Sequence, residues 1–122
     1  MDAAEREALV ERLTLAFGDA EDVTPAEVQP LHVLLRAVDL PEPWKPATTR
    51  VLTIWTDWPS VRPQFLIDES VVGASGEPPR SNSSVYAVGE TWRGFSFEFA
   101  WSGDDPVHAV QLWMARFTAE PS

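Results

Sequence analysis

Leu9, Leu13 and Phe17 recur at four-residue spacing, with Val10 and Ala16 beside them and Glu5, Arg6, Glu7, Glu11 and Arg12 around the rest of the cylinder. That period predicts an amphipathic helix over residues 2–17. Acids in its first turn suit the helix dipole, and Gly18 is the expected stop. The stretch from Asp19 to Pro30 is acidic and punctuated by proline, and it reads as a loop, with an extra turn at Thr24-Pro25 as the alternative. Leu31 to Val38 is apolar at nearly every position. Such a run predicts a strand buried on both faces. Asp39 to Pro46 then holds three prolines and Trp44, which predicts an irregular connection.

Arg50–Thr56 and Gln64–Ile67 are two further apolar runs, rich in residues that suit a pleated, half-buried surface. Between them stand Trp58, Pro59 and Pro63. Proline lacks an N–H and fixes φ, so the ladder breaks there and the chain turns a corner. Trp58 is expected to pack on its neighbouring prolines and hold that corner. Val71 to Ser84 follows, with Gly73, Gly76, Pro78 and Pro79, and reads as a long mobile loop. Phe95, Phe97, Phe99 and Trp101 then alternate with Ser96, Glu98 and Ala100, a period of two. Tyr86–Val88 is expected to pair with that strand through a turn at Gly89-Glu90 or at Trp92-Arg93-Gly94. Asp105-Pro106 places a cap and a first-turn proline ahead of a second helix. Val107, Val110, Met114 and Phe117 form its stripe, with Leu112 and Trp113 beside it. Helix, a meander of about four antiparallel strands, and helix make an α+β domain.

The chain has 122 residues, which bounds it to a single domain. Its formal net charge is −10, and the first thirty residues hold eight acids against two arginines. A phosphate backbone needs a basic patch, so neither nucleic acid nor an anionic membrane is an expected partner. There is no cysteine, which removes disulfides, thiolate metal sites and cysteine nucleophiles. No long apolar run marks a signal peptide or a span, and a cytoplasmic protein is expected.

The order of elements, with the corner, resembles the ubiquitin-conjugating enzyme fold and its relatives, the non-catalytic ubiquitin-conjugating-enzyme variants and RWD domains. In those families an aromatic-Pro-x-x-x-Pro segment lies between the third and fourth elements of the sheet. Trp58, Pro59 and Pro63 have that spacing, with tryptophan for the usual tyrosine. Val51–Asp57 looks like the strand that feeds it. Thr91–Ser96, and Trp101–Asp105 leading into a helix, look like what bacterial branches of the superfamily carry. The likeness runs from Leu31 to Phe117. Catalytic members place a cysteine after the sheet, preceded by His-Pro-Asn, and Glu69 to Ser84 has neither. The resemblance therefore implies a binding or adaptor member without a cofactor. It implies a protein partner, a ubiquitin-like protein or a component of a conjugation system.

Other chemistry finds little support in the residues. His108 follows Asp104 and Asp105 closely enough to invite a cation, but Asp105 is needed as a cap and no third ligand is in sight. His32 sits within an apolar strand and reads as a satisfied core histidine. Glu90 and Glu98 are carboxylates that nothing in the sequence brings together. The tryptophans offer the remaining candidates for a binding surface. Trp44, in its proline-rich connection, and Trp92, in a turn, are expected to be exposed, with Pro78, Pro79 and Arg80 of the long loop as further contacts. An α+β protein with an apolar small-molecule pocket between the sheet and the last helix is the alternative, as is a structural oligomer subunit. The oligomeric state stays open.

Overall fold

A computed structural model of the chain describes residues 1–28, 30–79, 82–95 and 103–119. The elements run α1 (Ala3–Phe17), β1 (Ala20–Asp22), β2 (Leu31–Asp39), β3 (Thr48–Trp55), β4 (Gln64–Asp68), β5 (Asn82–Ala87), β6 (Glu90–Phe95) and α2 (Pro106–Ala119). The class is α+β, as expected, but among the described residues the sheet has six antiparallel strands rather than about four, in the order β1-β2-β3-β4-β6-β5.

Both helices begin where cap chemistry places them. The Asp2 carboxylate accepts from the Glu5 N–H at 2.8 Å, and Gly18, at φ +87°, closes α1 with its N–H on the Thr14 carbonyl. The Asp105 carboxylate accepts from the Val107 and His108 N–H groups at 3.0 and 3.4 Å. These contacts satisfy donors that a helix start otherwise leaves without partners.

Strand β1 is the element the sequence hides. Its three residues carry no apolar pattern, and Asp19 to Pro30 reads as loop. The pairing of Ala20 with Leu35 and of Asp22 with Val33 makes it a strand. Arg36 offsets its acidity by pairing with Glu21 and Asp19. β2 is buried at five consecutive positions, Leu31 to Leu35, as a strand covered on both faces must be. A register shift between Leu35 and Val38 leaves Arg36 and Ala37 exposed.

The hairpin β5–β6 turns at Val88-Gly89, not at either turn expected. Both residues have positive φ, +45° and +80°, the signature of a two-residue hairpin turn. A β-branched residue is strained there. Val88 is held by packing on the cluster around Trp92. Gly94 is where β6 comes close to its neighbours: a Cβ there would lie 3.2 Å from both Leu66 Cδ2 and Val85 Cγ2. β6 is described as far as Phe95, and the expected alternation through Phe97, Phe99 and Trp101 falls outside the described residues.

Alternation along the strands divides the apolar residues between two faces. One cluster joins Leu31, Val33, Val51, Trp55, Phe65 and Ile67 to Leu9 and Leu13 of α1 and to Val110, Trp113 and Phe117 of α2. Leu34, Leu52, Leu66 and Trp92 form a second cluster on the opposite face. Within the first, Thr53 is wholly buried: its hydroxyl donates to the Val33 carbonyl at 2.9 Å and accepts from the Trp55 indole at 2.8 Å. Thr53→Val keeps the shape and leaves the indole N–H without a partner. Chemical denaturation is expected to show a loss of about 1–3 kcal/mol; no change would mean that the indole finds another acceptor.

Candidate functional site

The tryptophans expected at the surface are inside. Trp44 is 4% exposed and Trp92 is 0% exposed. Trp44 leaves its irregular connection inward, because α2 offers it both a ring and an acceptor: Phe117 lies edge-on at 5.2 Å, and the Phe117 carbonyl accepts the indole N–H at 2.7 Å. Trp92 is not in a turn but mid-strand, opposite Asp68 and Val85. Its N–H donates to the Ala87 carbonyl at 3.1 Å. Neither ring is free to meet a partner. Of the long-loop residues, Pro79 is buried and Pro78 half-buried, while Arg80 lies outside the described residues. The two connections expected to form an interface do lie side by side. Lys45 and Val72 exchange backbone hydrogen bonds at 2.8 and 2.9 Å, which pins one to the other.

Trp92 forms the floor of the strongest charge cluster. Arg50 on β3 stands beside Asp68 on β4, and its guanidinium lies 4.7 Å above the Trp92 ring. Nε and Nη2 donate to the Asp68 carboxylate at 3.0 and 2.7 Å; Nη1 and Nη2 donate to the Glu90 carboxylate at 3.0 and 2.8 Å. The carboxylates hold the Arg50 pKa above its ordinary value, Glu90 first and Asp68 next. Burial acts to raise Asp68, but the Ser70 N–H and Arg50 outweigh it, and its pKa is lowered. Arg50 lowers Glu90 too. A general acid must hold a proton near working pH, and neither carboxyl does. The cluster is a clamp joining β3, β4 and β6.

The sign of its pH dependence follows. Carboxyls with depressed pKa values stabilise the fold above their unfolded values and lose that contribution as pH falls through the folded ones. Thermal melting is therefore expected to stay level from neutrality to about pH 5 and to fall below about pH 4. Arg50→Gln should flatten that acid limb. Parallel curves for variant and parent would show that the clamp contributes nothing.

The connection between β3 and β4 carries Trp58, Pro59 and Pro63. Trp58 is half-buried and packs edge-on against Trp55 at 4.9 Å and 84°; Pro63 is buried and Pro59 exposed. Beside it lies an open groove of about 270 Å³, lined by Glu5, Leu9 and Arg12 of α1, by Trp58 and Pro59, and by Asp104 and Pro106 at the start of α2. Residues 5, 9 and 12 share a helix face because they are spaced by four and three. Arg12 fixes that face against α2, donating to the Asp105 carboxylate at 2.8 Å. Both side chains are about half exposed, so the pair orients more than it stabilises. Sequence reading named Trp58 and Pro59 as a corner, Leu9 and Glu5 as opposite sides of a helix and Asp104 beside His108, but did not join them, because only the tertiary fold brings these segments together.

The space between the sheet and α2 is occupied by rings. Phe65 meets Trp113 at 5.4 Å, Trp113 meets Phe117 at 5.4 Å, and Trp44 closes the row. A larger recess of about 420 Å³ lies on the outside of α1, beside Asp22 of β1. Among the described residues, no cluster of three or more His, Asp or Glu side chains is arranged to hold a metal ion. His32 is buried, with Nδ1 2.8 Å from the Pro30 carbonyl. No helix among them is long and apolar enough to cross a membrane. No family model, curated protein or solved structure matches this chain.

Proposed function

We propose that the chain is a non-catalytic protein-binding adaptor of ubiquitin-conjugating-like fold. The observation that carries the binding part is the row of rings that occupies the space between sheet and α2 among the described residues. Arg50 is engaged with Asp68 and Glu90, and Asp105 with a helix cap and Arg12, so these groups serve the fold. Without a cysteine there is no thioester transfer, since that step needs a thiolate.

The fold assignment is supported by α1 leading into an antiparallel run β1-β2-β3-β4, with the Trp58-Pro59 corner joining the last two strands. The hairpin β5–β6 is an addition to that plan. A ubiquitin-like protein or a component of a conjugation system is the partner class, and it rests on the resemblance alone. The reading is tested by crosslinked capture from the native cell, followed by reconstitution from purified components. Saturable binding of the purified partner supports it. Failure of every captured protein to bind when purified contradicts it. Against the alternative of an apolar pocket between sheet and last helix speaks that Trp44, Trp113 and Phe117 are buried there.

A further inference from the structure

We infer that the groove between α1 and the Trp58-Pro59 corner is the docking point, and that its occupant is a lysine or arginine side chain projecting from the partner. This inference rests on the protein-binding reading and names the chemistry of the partner.

Size is the first argument. About 270 Å³ falls below the range of roughly 300–1,000 Å³ that takes a drug-sized ligand, but it admits one long side chain. The lining is the second. Leu9, Trp58, Pro59 and Pro106 supply apolar wall, which a methylene stem covers while its charged head stays at the mouth. The half-buried Trp58 indole gives a cation an aromatic surface. Charge is the third. Glu5 and Asp104 stand on the lining from opposite sides, one on α1 and one ahead of α2. Of the two cations on the lining, the Met1 α-amino group and Arg12, Arg12 is turned onto Asp105. The occupant that fits has an apolar stem and a positive head, and the chain's net charge of −10 draws such a partner in from a distance.

The test uses the full chain, ¹⁵N-labelled and tagged at its C-terminus so that Met1 is unchanged. Nα-acetyl-lysine methylamide is titrated while the indole N–H signals are followed, with the Trp58 signal assigned from Trp58→Phe. The Trp58 signal is expected to move and saturate while those of Trp44 and Trp92, buried elsewhere, stay in place and report an intact fold. The Nε-acetylated analogue, which lacks the charge, should leave Trp58 unmoved. Glu5→Gln with Asp104→Asn should weaken binding about fivefold or more. Glu27→Gln with Glu77→Gln removes the same charge from exposed positions that line none of the grooves described. It should change binding by less than about twofold. A still Trp58 signal, an equal response to the neutral analogue or to a neutral proline-rich peptide, or equal weakening by the remote pair would overturn the inference.

The two readings fail separately. A reconstituted partner that binds the Glu5→Gln, Asp104→Asn chain as well as the parent overturns this docking point and leaves the adaptor standing. A successful lysine titration with no partner that survives reconstitution overturns the adaptor and keeps the cation-binding groove.

Discussion

Trp44→Ala is expected to lower stability by about 3–5 kcal/mol, the range for deleting a buried indole. Two losses add there. The ring leaves a void against Phe117, its edge-on neighbour at 5.2 Å. The Phe117 carbonyl, near the C-terminus of α2 where helix carbonyls lack internal donors, loses its indole donor at 2.7 Å. Because Lys45 is bridged to Val72, loosening at Trp44 should spread into the chain after β4. Urea unfolding followed by circular dichroism measures the change. Trp44→Phe should recover part of it, since a ring returns without the N–H. A loss below about 1 kcal/mol in the alanine variant would mean that the indole does not hold α2 to the connection.

Trp92→Ala should cost a similar amount, about 3–5 kcal/mol, by a different route. Trp92 is wholly buried at the centre of the second cluster, touching neither helix's side of the sheet. It carries the Arg50 guanidinium on its face and anchors its own hairpin through the Ala87 carbonyl. Removal should therefore loosen β5 and β6 before the meander β2–β4. Hydrogen exchange distinguishes this from uniform destabilisation: the β5 and β6 amides should lose protection first. Trp92→Phe keeps ring and cation contact and gives up the hydrogen bond, and should cost about 1–2 kcal/mol. Equal loss of protection in all strands would show that the hairpin is not a separate unit of stability.

Local chemistry was legible in the sequence, and depth was not. Asp105-Pro106 announced a helix start because a cap acts on N–H groups two and three residues away. Leu31 to Leu35, apolar at every position but His32, announced a strand covered on both faces. Trp44 and Trp92 misled because their neighbours, prolines in one case and Arg93-Gly94 in the other, speak of backbone regularity and not of distance from solvent. The acceptor that draws Trp44 inward belongs to Phe117, a long way along the chain. β1 was hidden for the same reason: three residues without apolar pattern become a strand only when β2 is there to pair. At the candidate site, Trp58 and Pro59 stood out, whereas the wall opposite them depends on Arg12 meeting Asp105 across the fold.

The proposed adaptor would grip another protein and leave it chemically as it was. Native mass spectrometry of the reconstituted pair, followed by intact-mass measurement of each component after denaturation, addresses that directly. A non-covalent complex that separates into two chains of unaltered mass is expected. A mass change in either chain, or a pair that never assembles, would contradict it.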